Sequence, residues 1–238
     1  MRVLPPVTTS ADDDYPSDTV PDFLHLYATL ETAIERAGSP EDLPDAEHLR
    51  RGYVLGITSA ICGEGKTTVA LHLAATAALN GTKRVALLDL GLDGGGLCRR
   101  LGLAAPQKGL NDLLEGPGET LETASAEQWH DLVVILGGKA PRNPARAARS
   151  ARLPDVIDKL RRRFDIIFAD LPAVVTDNAV PIARHLDGLV MVTAAGVTPS
   201  EMINHALDHL GREKVLGIVL NRTRSSTPLW IRKRLGVA

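Results

Sequence analysis

The chain has 238 residues, a formal net charge of −2 and 44% hydrophobic residues, which fits one α/β domain with a sizeable core. No apolar run reaches the roughly 20 residues that span a bilayer, and two cysteines, Cys62 and Cys98, argue for a reducing compartment and against a disulfide framework. The near-neutral balance gives no global pull toward nucleic acid or anionic lipid.

Residues 1–20 are rich in Pro, Thr, Ser and Asp, with Asp12-Asp13-Asp14 where a signal segment would be apolar, and read as a disordered tail. Residues 21–238 read as a single domain. Phe23, Leu26, Tyr27 and Leu30 recur at helical spacing and predict an amphipathic helix over 22–37. A polar, Pro-containing connector covers 38–46.

From there strand and helix alternate, with strands expected at 53–58, 84–89, 131–136, 165–170, 187–193 and 214–220. Runs such as Val85-Ala-Leu-Leu88 and Leu216-Gly-Ile-Val-Leu220 are apolar throughout, as in strands covered on both faces. The fold class expected is therefore α/β: a doubly wound, mostly parallel sheet with helices on both faces. Among the helices, one carries Leu73, Ala74, Ala77 and Ala78 and ends at Asn80-Gly81. Thr198-Pro-Ser-Glu201 reads as a capping box opening another, closed by Gly211.

The chemistry centres on Ala60-Ile-Cys-Gly-Glu-Gly-Lys-Thr-Thr68, set between an apolar strand and an apolar helix. That context makes a phosphate-binding loop of what could otherwise be an ordinary Gly-rich turn. Backbone N–H groups of Gly63, Glu64, Gly65, Lys66 and Thr67, with Thr68 behind them, can wrap a phosphate. Lys66 reaches the terminal oxygens, Thr67 offers a hydroxyl to Mg²⁺, and the helix adds its positive end. Two expected strands end in acids, Asp89 and Asp170. In a parallel sheet ligands sit at the carboxyl ends of strands, so both should face the loop. Asp170 reads as the acid that orients a Mg²⁺-bound water, and Asp89 as a second metal-side acid or a general base. The cofactors expected are ATP and Mg²⁺.

Taken together, four segments resemble the cytoplasmic tyrosine autokinases of bacterial capsule and exopolysaccharide synthesis: Thr58–Thr68; Val85–Asp89 with Leu101–Leu103 and Gly109–Leu113; Gly137-Gly138, Asn143-Pro144 and Phe164–Pro172; and Asp187–Val192 through Val215–Arg222. The resemblance covers about residues 22–225 and implies a SIMIBI-type P-loop fold, shared with the ParA/MinD-like positioning ATPases. It casts Lys66 and Thr67 as the Walker A pair, Asp89 as the first acid of Walker A′ and Asp170 as the Walker B acid. Asn221, with Arg222 beside it, falls where related proteins contact adenine. The resemblance also implies a membrane-embedded polysaccharide chain-length (co-polymerase) partner, and a cytoplasmic location, peripheral at the inner membrane through that partner. No nucleic acid partner is expected.

The departures are specific. The family's Asp-x-Asp-x-Arg is Asp89-Leu-Gly91-Leu-Asp93 here, so Gly91 stands for an acid and Asp93 for an arginine. Losing an acid or base of that kind costs about 10²–10⁴ in rate. The family's ring-forming Glu-x-x-Arg-x-x-Arg aligns with Asp22, His25 and Ala28, which leaves a homo-oligomer open. Its tyrosine tail is absent: the tyrosines are Tyr15, Tyr27 and Tyr53. Tyrosine kinase activity is therefore expected to be reduced or lost, with a nucleotide-gated adaptor as the alternative. Ile61 stands where the positioning ATPases carry a signature lysine, which disfavours that second alternative. Arg142, Arg146, Arg149 and Arg152, continued by Lys159–Arg163, read as a solvated face. Trp230 with Arg232-Lys-Arg234 reads as a short amphipathic terminal turn docked on the domain.

Overall fold

The computed structural model describes residues 3–7, 21–37, 51–103, 108–116, 123–125 and 132–223. Eight strands form one sheet in the order β1-β8-β7-β2-β6-β3-β5-β4. They are β1 (Val3–Val7), β2 (Tyr53–Ser59), β3 (Val85–Asp89), β4 (Thr123–Ser125), β5 (Val133–Ile135), β6 (Ile166–Asp170), β7 (Gly188–Ala194) and β8 (Val215–Asn221). All six expected strands are present and pair in parallel. β4 alone runs antiparallel, on β5.

The sheet is buried on both faces, as its continuous apolar strands require. One face carries α1 (Pro21–Ala37), α2 (Lys66–Asn80) and α3 (Gly96–Arg100), with Phe23, Leu26, Leu30, Leu71, Leu73 and Leu97 in its core. The other carries α4 (Leu110–Glu115), α5 (Pro144–Ala148), α6 (Leu153–Arg161), α7 (Ala179–Ala183) and α8 (Ser200–Leu210), packed through Leu153, Ile157, Ile182 and Leu207. α1 is the expected amphipathic helix. Its Phe23 ring stacks on His72 of α2 at 4.6 Å, while His25 and Ala28 are exposed on its outer side.

Three sequence expectations change. Residues 3–7 form the edge strand β1, parallel to β8, where a disordered tail was expected. Pro5 and Pro6 lack ladder donors and are tolerated because the strand is at the edge. The capping box at 198–201 does not form: Pro199 is the N-cap without a side-chain bond, and the Thr198 hydroxyl turns away to Glu64. Within the basic stretch, Arg142, Arg146, Arg149, Arg152, Lys159, Arg162 and Arg163 are exposed as expected, but Arg161 is 6% exposed. It donates to Asp187 through both terminal nitrogens and to the Gly52 carbonyl at 2.9 Å, tying α6 to the start of β7 and β2. The connector at 38–46, the rest of the tail to residue 20, and the Trp230 turn lie outside the described residues.

Candidate functional site: a phosphate loop beside two buried acids

β2 runs from the middle of the sheet into the loop 60–65, and α2 starts at Lys66. Gly63 and Gly65 have φ of 84° and 93°, left-handed values that favour glycine. A Cβ at Gly63 would meet nothing within 4 Å, so the loop's outer side is open. Gly65 caps α2 without a side-chain bond, and no acid lies in the first turn. The helix thus leaves its leading N–H groups and positive end to a ligand.

β3 and β6 pair with Asp89 opposite Asp170, so the two expected acids sit side by side at the strands' carboxyl ends. Lys66 Nζ lies 3.8 Å from Asp170 Oδ1. Asp170 is 2% exposed, and its Oδ1 has no hydrogen-bond partner. Burial pushes its carboxyl up to about 6, with the charges of Asp89 and Asp93 adding, and the Lys66 charge and a hydrogen bond from the Thr67 hydroxyl opposing. Asp89 is also buried and raised, chiefly by burial; it accepts from Gly91 N at 3.1 Å and Gly137 N at 3.4 Å. Lys66, Thr67, Asp89 and Asp170 are therefore brought together as expected.

Glu64, Asn221 and Arg222 make contacts with the loop itself. Glu64 is 1% exposed and turns inward, away from the open side of the loop. Its Oε2 accepts from Ile61 N at 2.9 Å, and its Oε1 from Thr193 Oγ1 and Ala194 N, each at 2.9 Å, and from Thr198 Oγ1. Asn221 is fully buried: its Nδ2 donates to the Glu64 carbonyl at 2.8 Å, and its Oδ1 accepts from Arg222 N at 2.8 Å. The carboxamide is thus turned to the loop backbone. Arg222 Nη2 donates to the Gly63 carbonyl at 2.7 Å. All three brace the loop from behind.

Asp93 is the residue whose placement the sequence did not suggest. A Cβ at Gly91 would stand 3.2 Å from Asp89 Oδ1 and 3.4 Å from Asp93 Oδ1, so Asp93 folds back toward Asp89 across the space a side chain at 91 would fill. Leu92, at φ 58°, makes that reversal. Asp93 Oδ1 accepts from Gly96 N at 3.2 Å. The loss of an acid at 91 is thus accompanied by a carboxylate arriving from 93.

The family profile described as "CobQ/CobB/MinD/ParA nucleotide binding domain" matches residues 55–230. The tyrosine-protein kinase CpsD of Streptococcus agalactiae is 31% identical over 181 residues, covering 74% of this chain and 78% of that protein. The succinoglycan biosynthesis transport protein ExoP of Rhizobium meliloti is 31% identical over 176 residues, 71% of this chain but 22% of that much longer protein. Among solved structures, the kinase domain of the Escherichia coli tyrosine kinase ETK superposes with a TM-score of 0.76 at 20% identity, covering 90% of this chain and 80% of that one. The septum site-determining protein MinD of Pyrococcus horikoshii, complexed with Mg-ADP, gives a TM-score of 0.59 at 23% identity, covering 77% of each chain. These two superpositions bear out the expected fold.

Proposed function

This chain belongs to the CobQ/CobB/MinD/ParA nucleotide-binding family and groups with bacterial tyrosine-protein kinases of the CpsD type, and on that premise we propose that it binds ATP with Mg²⁺ to regulate capsule or exopolysaccharide assembly. The observation that carries the proposal is Lys66 ion-paired at 3.8 Å with buried Asp170 Oδ1, which accepts no hydrogen bond, at the foot of a Gly-rich loop whose outer side is open.

The residues fit such a cofactor. Among the described residues no group of three or more His, Cys, Asp or Glu could hold a metal alone, so an ion here would need phosphate oxygens as well. That is the habit of Mg²⁺, which takes one or two carboxylates plus substrate phosphates. Thr67, Asp170 and Asp89 supply hard oxygen donors, and the N–H groups from Gly63 to Thr68 supply the phosphate cradle. These residues would hold Mg²⁺ beside the phosphates, and the ion would supply positive charge to offset theirs. Lys66 would turn from Asp170 toward the phosphates, and the Asp170 carboxylate would hold the ion's side of the site.

The reading extends to a cytoplasmic module working with a membrane-embedded chain-length protein. Its support is the kinship with CpsD and ExoP. A catalytically degenerate, nucleotide-gated adaptor is the second reading, and one observation favours it. Of the two tyrosines among the described residues, Tyr27 is buried and Tyr53 half-buried, with phenols pushed up chiefly by burial, that of Tyr53 to about 12. Neither offers an accessible, readily ionised acceptor.

Incubation with labelled ATP and Mg²⁺, reading phosphate release and phosphotyrosine on one preparation, separates the readings. Phosphotyrosine that disappears in Lys66→Ala supports the kinase. Saturable binding with no turnover supports the adaptor, and absence of binding overturns both.

A further inference from the structure

We propose that Glu64 is a positioning residue: its buried carboxylate clamps the phosphate loop to β7 and to the root of α8, and so holds the loop in its phosphate-binding shape before a nucleotide arrives. The inference rests on the nucleotide-binding reading above and goes beyond it by assigning the loop's shape to one side chain.

Glu64 lies between Gly63 and Gly65, both at positive φ. Such a stretch has the most backbone freedom to lose, and no packing holds its outer side, since a Cβ at Gly63 would touch nothing within 4 Å. The restraint comes from within. One carboxylate oxygen accepts from the loop's own Ile61 N–H, and the other gathers Thr193, Ala194 N–H and Thr198. The first bond sets the curvature of the loop. The other three fix that curve to the end of β7 and to the turn that leads into α8.

All four partners are neutral donors, so the carboxylate's burial is offset by directed hydrogen bonds. The Glu64 and Gly63 carbonyls are engaged in turn by Asn221 and Arg222 from the end of β8. A carboxylate with two accepting oxygens can serve the Ile61 side and the β7 side together. A carboxamide cannot: whichever way it flips, its NH₂ meets either the Ile61 N–H or the Ala194 N–H, donor against donor.

The test is calorimetric titration of Mg·ADP into wild type, Glu64→Gln and Thr198→Val. Glu64→Gln is expected to weaken the dissociation constant about tenfold or more, with the stoichiometry still one per chain. Thr198→Val removes one of the four donors from a half-buried position and is expected to weaken it about threefold. A role in stability alone would instead lower the number of competent molecules and leave the constant unchanged. That outcome in Glu64→Gln overturns the proposal. If Glu64→Gln does not fold, an unchanged constant in Thr198→Val overturns it. Wild type that binds no nucleotide overturns the nucleotide reading as well, whereas wild-type binding with equal binding by the variants overturns only the clamp.

Discussion

Asp170→Asn should stabilise the nucleotide-free protein, and by an amount that depends on pH. Burial lifts the Asp170 carboxyl from 3.8 to about 6 in the folded chain. In the unfolded chain the group ionises near its ordinary value. Between about pH 4 and pH 6 the folded state therefore holds a proton that the unfolded state has released, and stability falls as pH rises through that window. Above pH 6 both states are ionised and the cost levels off at about 3 kcal/mol, from 1.36 kcal/mol per tenfold step in acidity. Asparagine has nothing to ionise. Guanidinium unfolding of the two proteins should give near-equal stabilities at pH 4 and a gap opening to about 1–3 kcal/mol in favour of Asp170→Asn by pH 8. Asp89 is raised as well and its charge acts on Asp170, so the difference between the two proteins reports position 170 together with its coupling to Asp89. A variant less stable than wild type at pH 8, or a gap that does not change with pH, would refute the reasoning.

Two further substitutions probe the same balance and the scaffold. The charge of Asp93 pushes both Asp89 and Asp170 upward, so Asp93→Asn should shift the wild-type loss of stability to lower pH. At 54% exposure the gain at pH 8 stays below about 1 kcal/mol, as the same pH-resolved unfolding would read. Arg161→Ala leaves Asp187 and the Gly52 carbonyl without their buried guanidinium and should cost about 3 kcal/mol, measured by denaturant unfolding at neutral pH.

The sheet was legible because its central strands are buried on both faces and so are apolar without alternation, as in Val85–Asp89 and Ile166–Asp170. β1 was missed because two prolines and the acidic run after them resemble a tail, and only pairing with β8 makes the segment a strand. β4, at three residues, is too short to carry a pattern. At the site, Lys66, Thr67, Asp89 and Asp170 could be placed from the sequence because each sits at a strand end or helix start, where topology fixes direction. Glu64 and Thr198 could not, and for Asn221 the strand-end position was legible but the turn of its carboxamide toward the Glu64 carbonyl was not. A glutamate in a Gly-rich loop reads as solvent-facing, and its partners Thr193 and Thr198 lie well over a hundred residues away. Asp93 was hidden for a different reason: its return toward Asp89 depends on a left-handed turn at Leu92, a residue that rarely adopts one.

The central claim is that this loop binds a Mg²⁺-nucleotide through Lys66 and the paired acids. Isothermal titration of ADP into the full chain, with and without Mg²⁺ and in wild type against Lys66→Ala, tests it most directly. Binding is expected at one saturable site per chain, tighter with Mg²⁺, and weakened about 10- to 100-fold in Lys66→Ala, the range for removing one charge-assisted phosphate contact. No saturable binding in wild type, or binding that is indifferent to both Mg²⁺ and Lys66, would contradict it.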